Sequence, residues 1–279
     1  MKNYKEISQL LEFYLSSGID AVFDSKPKNF FLLSSNLKTE DICTNNLVNN
    51  DKITVSNTGT NKVVFEKKIE ESSLYATNSS FRISQDIANS SDDLESLCEK
   101  VVNSDFCQLK KYATNTVFGY GVTNKPDVMI IGEAPGADED KQGLPFVGVS
   151  GQLLDKIFAT IGIDRNKNAY ITNILKWRPP GNRTPTPEEC FICMPILIKQ
   201  IELIKPKLIV LVGSVAAHAI LNSSDGITKI RGYVFDYKCK DGIIKAIPMF
   251  HPSYLLRNPL SKKFAYIDVL KIREALNHI

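Results

Sequence analysis

Apolar residues fall along this chain in two patterns. Four short, largely apolar runs, at 128–131, 169–175, 208–212 and 243–250, are bounded by polar segments, and the one at 208–212 is continuous. Runs of that length and kind predict strands buried on both faces. Between them the apolar positions recur at three- and four-residue spacing. Leu153, Leu154, Ile157, Phe158 and Ile161 make one stripe, Met194, Leu197, Ile198 and Ile201 a second, and Val269, Ile272, Leu276 and Ile279 a third. That period predicts helices with one buried face. Leu94, Leu97, Val101 and Val102 predict a further helix, started by the Ser91–Asp92 region.

Boundary residues agree with these elements. Thr186-Pro187-Glu188-Glu189 reads as a capping box with proline at the first helical position, and Pro195 is expected to kink that helix or delay its start. Ser214 is placed to cap a helix over 215–221. Strands alternating with helices predict an α/β chain, a three-layer α/β/α sandwich around a central, mostly parallel four-stranded sheet.

The first third reads differently. Tyr4, Ile7, Leu11 and Tyr14 fall at helical spacing with Gly18 at the end, which predicts an N-terminal amphipathic helix within 1–24. Residues 25–89 are rich in Asn and Ser with little periodicity, and are expected to form a disordered linker. Residues 90–279 are expected to form the functional domain.

Composition changes this picture little. Of 279 residues, 43% are apolar, a globular balance, and the net charge of +3 permits a nucleic-acid partner without demanding one. No run approaches the length that spans a bilayer, and the N-terminus lacks a signal-peptide core, so no membrane partner and a cytoplasmic location are expected. The six cysteines are then buried thiols or metal ligands rather than disulfides.

Candidate chemistry sits where strands end. Ile131-Gly-Glu-Ala-Pro-Gly-Ala-Asp-Glu-Asp140 follows the first strand, and Met249-Phe-His-Pro-Ser-Tyr-Leu-Leu-Arg257 closes the last. Ligands of open α/β sheets bind outside these carboxyl ends. Gly132 and Gly136 allow the backbone to approach a flat ligand, and His251 offers a donor or acceptor near neutral pH.

Gly-Glu-Ala-Pro-Gly at 132–136, Leu-Pro-Phe-Val-Gly at 144–148, Ser-Gly-Gln-Leu-Leu at 150–154, Ile-Thr-Asn at 171–173 and His-Pro-Ser-Tyr-Leu-Leu-Arg at 251–257 together resemble the family 4 uracil-DNA glycosylases. The resemblance covers about 95–279. It implies an enzyme that flips uracil out of single- or double-stranded DNA and hydrolyses its N-glycosidic bond, leaving an abasic site, as a nucleoid-associated monomer that needs no divalent metal. An alternative is a non-catalytic module that binds uracil-containing or damaged DNA on the same fold.

By resemblance, Phe146 stacks on the base and Asn173 reads its O4/N3 edge. Gly132, Glu133 and Ala134 line the pocket, and His251 approaches O2, where charge gathers as the bond breaks. No carboxylate stands at Ala134, so Glu133, Glu139 and Asp140 are the candidates for orienting water. Glu139 has an alternative role, walling off the uracil C5 position. Ser253, Arg257, Lys141 and Arg183 are the DNA-contact candidates, with Arg178 a further one, while Tyr254 or Leu255 fills the space the base vacates.

The resemblance also implies a [4Fe–4S] cluster on four cysteines, and no other cofactor. Here Cys107 and Cys193 match two ligands, but Ser104 and Trp177 stand at the other two positions. Two thiolates are too few for four irons. Cys98 and Cys190 are the available substitutes. Loss of the cluster, with Trp177 filling its space hydrophobically, is the expectation.

Overall fold

The computed structural model describes residues 71–278. The expected N-terminal helix and the linker as far as residue 70 lie outside them. Helix α1 (Glu71–Asn89) and α2 (Leu94–Asn103) lead into strands β1 (Tyr120–Gly121) and β2 (Val128–Gly132). Helices α3 (Ala137–Gln142) and α4 (Val149–Ala159), β3 (Ala169–Asn173), α5 (Pro187–Ile204) and β4 (Leu208–Val212) follow. The chain continues through α6 (Ser214–Leu221), α7 (Ile227–Ile230), β5 (Phe235–Cys239), β6 (Gly242–Met249), α8 (Pro252–Arg257) and α9 (Lys262–Asn277).

The linker reading does not extend over residues 71–89, which are helical. Most of its residues are polar, and its short apolar stripe is easy to overlook. Buried Ser84 and Ala88 face inward, and Phe81 stacks on Phe191 of α5 with ring centroids 4.3 Å apart.

The sheet has six strands in the order β1-β3-β2-β4-β6-β5. The four expected strands are its parallel centre, and β1 and β5 add short antiparallel edges. β5 escapes the apolar-run criterion because it alternates, Phe-Asp-Tyr-Lys-Cys, with every second residue exposed.

Alternation across the pleat divides the core into two layers. Ile171, Ile130, Val210 and Ile247 stand in register across the sheet and face α4 and α9. Met129, Ile131, Ile209 and Leu211 face α2, α5 and α6. All five residues of β2, of β3 and of β4 are buried, as a doubly covered parallel sheet requires.

The capping box at α5 forms as the sequence predicts: Thr186 Oγ1 accepts from Glu189 N at 3.2 Å, and Glu189 Oε2 accepts from Thr186 N at 2.8 Å. The helix runs through Pro195. Among the described residues no helix is long and apolar enough to cross a membrane.

Candidate active site

At the carboxyl ends of β2, β3, β4 and β6 the following loops enclose a cavity of about 670 Å³. Gly132 and Asn173 are register partners, the last residues of β2 and β3. A Cβ on Gly132 would stand 2.4 Å from Asn173 Oδ1 and 2.5 Å from Phe146 Cζ. Glycine is therefore what lets the amide and the ring converge. Across the cavity the Phe146 and His251 rings lie 5.9 Å apart between centroids, tilted by 33°.

Asn173 is 1% exposed, and its Oδ1 is buried with no hydrogen-bond partner. An unpaired buried acceptor costs about 1–3 kcal/mol, so this atom is set up for a donor that arrives with a ligand. The strand end that carries it is fixed from behind by Lys176, which its place beside Ile174, Leu175 and Trp177 hides in the sequence. Lys176 is fully buried, and Nζ donates to Thr172 Oγ1 (2.8 Å), to the Asn173 carbonyl (2.7 Å) and to Gln200 Oε1 (2.6 Å). Burial lowers its pKa to about 7.

His251 caps α8. Its Nδ1 accepts from Ser253 N at 3.1 Å and lies 2.7 Å from Ser253 Oγ, whose hydroxyl can donate to it. With Nδ1 an acceptor, the ring proton belongs on Nε2. Burial, and next the charge of Arg257, lower the imidazole pKa to about 4, against a smaller opposing effect of Glu139. The ring is neutral at pH 7.

The three acidic candidates differ sharply. Glu139 Oε1 accepts from Val147 N and Gly148 N, each at 2.9 Å, and Oε2 from Gly136 N at 3.1 Å. It ties together the two loops at the cavity mouth. Asp140 is buried and its Oδ1 accepts from Thr114 N and Asn115 N. Glu133 lines the cavity without a side-chain hydrogen bond among the described residues, and burial raises its pKa.

Of the DNA-contact candidates, Arg257 is exposed at the cavity rim and Ser253 is engaged with His251. Arg183 also reaches the rim but pairs bidentately with Glu189, at 2.8 and 2.6 Å. Lys141 is exposed on α3, outside the cavity lining. Leu255 is fully buried and Tyr254 packs on Phe250, while Leu256, one position further on, is 40% exposed.

The model of the uracil DNA glycosylase superfamily matches residues 118–271. The type-4 uracil-DNA glycosylase of Thermotoga maritima is 44% identical over 166 residues, 59% of this chain and 84% of that protein. Those of Sulfurisphaera tokodaii (40% identical, 66% and 84% covered) and Archaeoglobus fulgidus (39%, 66% and 93%) agree. The chain belongs to the type-4 uracil-DNA glycosylases.

As a type-4 glycosylase, the chain would be expected to carry a [4Fe–4S] cluster, and its residues do not fit one. Cys107 and Cys193 touch each other, and the thiol hydrogen bond from Cys193 lowers the pKa of Cys107. Trp177 is 1% exposed, meets Phe106 edge-on at 5.3 Å and donates its indole N–H to Thr116 Oγ1 at 2.9 Å. Ser104 Oγ donates to the Val101 carbonyl at the end of α2. Cys98 lines a separate surface cavity with Tyr120 and Tyr170. Among the described residues no group of three or more Cys, His, Asp or Glu could hold a metal ion.

Proposed function

We propose that this type-4 glycosylase hydrolyses the N-glycosidic bond of uracil in DNA. The observation that carries the reading is the orphaned Asn173 Oδ1, buried in a cavity shared with Phe146 and His251. Uracil N3–H supplies the missing donor, and uracil O4 takes the amide N–H. Cytosine presents a lone pair at N3 and a donor at C4, so both contacts would clash.

Phe146 stacks on the extruded base, which returns part of the cost of unstacking it. The C1′–N1 bond breaks heterolytically, and its electron pair leaves with the base. The charge gathered on O2 meets the Nε2–H of a neutral His251, a contact stronger in the transition state than before it. Water bonds to C1′ and passes its proton to Glu133, the candidate carboxylate not committed to backbone N–H groups. Arg257 contacts phosphate at the rim, and exposed Leu256, rather than Leu255, is placed to fill the space the base leaves.

The test is a uracil-containing oligonucleotide incubated with the protein and then treated with alkali. Scission at uracil, and none at cytosine or thymine in the same sequence, is expected. Tight binding that leaves the uracil strand intact overturns catalysis in favour of a binding module.

The second element of the proposal is that the Trp177–Phe106 contact and the Cys107–Cys193 pair take the cluster's place in the core. Protein purified without oxygen should contain far less than one iron per chain, with no absorbance band near 400 nm. Four irons per chain would refute it.

A further inference from the structure

Phe146 holds a left-handed backbone, φ 53°. A bulky side chain in that region is strained and persists only where its surroundings hold it there. Its carbonyl group is gripped from two sides. On one, Gly151 of α4 lies so close that a Cβ there would stand 1.9 Å from the Phe146 oxygen. On the other, Arg165 Nη2 donates to that oxygen at 2.8 Å, and Nη1 donates to the preceding carbonyl, of Pro145, at 2.9 Å.

The adjoining Nε–Nη2 edge of the same guanidinium is anchored to α4. Arg165 Nε donates to Asp155 Oδ1 at 3.1 Å, and Nη2 reaches Oδ1 and Oδ2 at 2.8 and 3.0 Å. Arg165 lies on the loop between α4 and β3, its side chain only 13% exposed, and it does not line the cavity that holds Asn173 and His251.

We propose that Arg165, anchored by Asp155, is a positioning residue for base excision: its guanidinium locks the strained Pro145–Phe146 peptide so that the aromatic platform is in place before uracil arrives. The inference rests on the reading that Phe146 stacks on uracil. The chemistry needs arginine. A planar fork satisfies two successive carbonyls and a carboxylate at once, and a lysine ammonium on a flexible stem cannot reproduce that geometry. Preorganising the platform matters because a displacement of about 1 Å in a positioning group can cost about 100-fold in rate.

The experiment is a double-mutant cycle on single-turnover excision, using Arg165→Lys, Phe146→Leu and the double variant, at a temperature where circular dichroism shows each to be folded. Arg165→Lys is expected to slow excision about 10- to 100-fold. Its affinity for a duplex carrying a tetrahydrofuran abasic analogue should stay within about two-fold, because no base needs stacking there. In the Phe146→Leu background the same substitution should cost almost nothing more, since the platform it serves has gone. If Arg165→Lys does not fold, Asp155→Asn loosens the fork from outside and should show a smaller loss with the same dependence on Phe146.

Excision by Arg165→Lys at the wild-type rate overturns the proposal. So does a loss that persists undiminished without Phe146, or a parallel loss of abasic-duplex affinity. Wild-type protein run alongside separates the two levels: an active wild type with indifferent Arg165 variants defeats the clamp alone, whereas an inactive wild type defeats the uracil reading and the clamp with it.

Discussion

Replacing His251 by asparagine should lower the single-turnover excision rate about 100- to 1,000-fold, the usual cost of removing one donor aimed at charge that develops in the transition state. Asparagine is the informative substitution because it separates the helix cap that His251 makes from the catalytic task proposed for it. Its Nδ1 caps α8 by accepting from Ser253 N, and an asparagine oxygen caps a helix comparably well. The shorter side chain offers nothing in place of Nε2–H. Stability should therefore change little at neutral pH while the rate collapses. A folded variant within ten-fold of wild type would remove His251 from the mechanism.

The pH dependence follows from the same side chain. An unfolded histidine titrates near 6.5, and His251 in the folded protein near 4. The folded state resists the proton that the unfolded state accepts, so stability tied to His251 is whole above pH ~6.5 and is lost as the pH falls towards 4. The loss is bounded at about 3 kcal/mol and reduced by solvent on the side facing the cavity. Melting temperatures of wild type and His251→Asn should run together above pH 7 and separate as the pH falls from about 6.5 to 4, with wild type becoming the less stable of the two. The rate should show no limb near 6.5 that disappears in the variant.

A second large effect is expected at a residue without a side chain. Gly132→Ala places a methyl group 2.4 Å from the amide oxygen of Asn173 and 2.5 Å from the ring of Phe146. One of the two must move, and the proposed mechanism needs both to hold a flat base. Excision should fall by about 100-fold or more, with a stability cost of about 1–3 kcal/mol from overpacking. Gly162→Ala is the control. It is a positive-φ glycine at 77° with open space around it, so alanine there should cost stability and leave turnover per folded molecule unchanged. Equal activity in the two variants would mean the cavity is not where the chemistry occurs.

Much of the fold is legible in the sequence because a parallel sheet buried on both faces leaves uninterrupted apolar runs, as at Val128–Gly132 and Leu208–Val212. The convergence of Phe146, Asn173 and His251 is legible only through the set of motifs, since no local pattern says that three distant loops meet. What escaped has identifiable causes. Phe235–Cys239 hides as a strand because it lies at an edge with charged residues facing out. The helix at Glu71–Asn89 is masked by its polar composition. Glu139, Asp140 and Glu133 are indistinguishable as letters, and only the backbone N–H groups around the first two separate them. Arg165 carried no signal at all, because its partners are carbonyl oxygens that the sequence does not display.

Trp177 is the only tryptophan in the chain, and it is sealed against Phe106 beside the paired thiols. Intrinsic fluorescence excited at the red edge of protein absorption therefore comes from one known point, on the side of the sheet away from α4 and α9. The chain carries its own optical reporter for that layer. The loosening of one corner of the molecule can be watched separately from global melting, with no label attached.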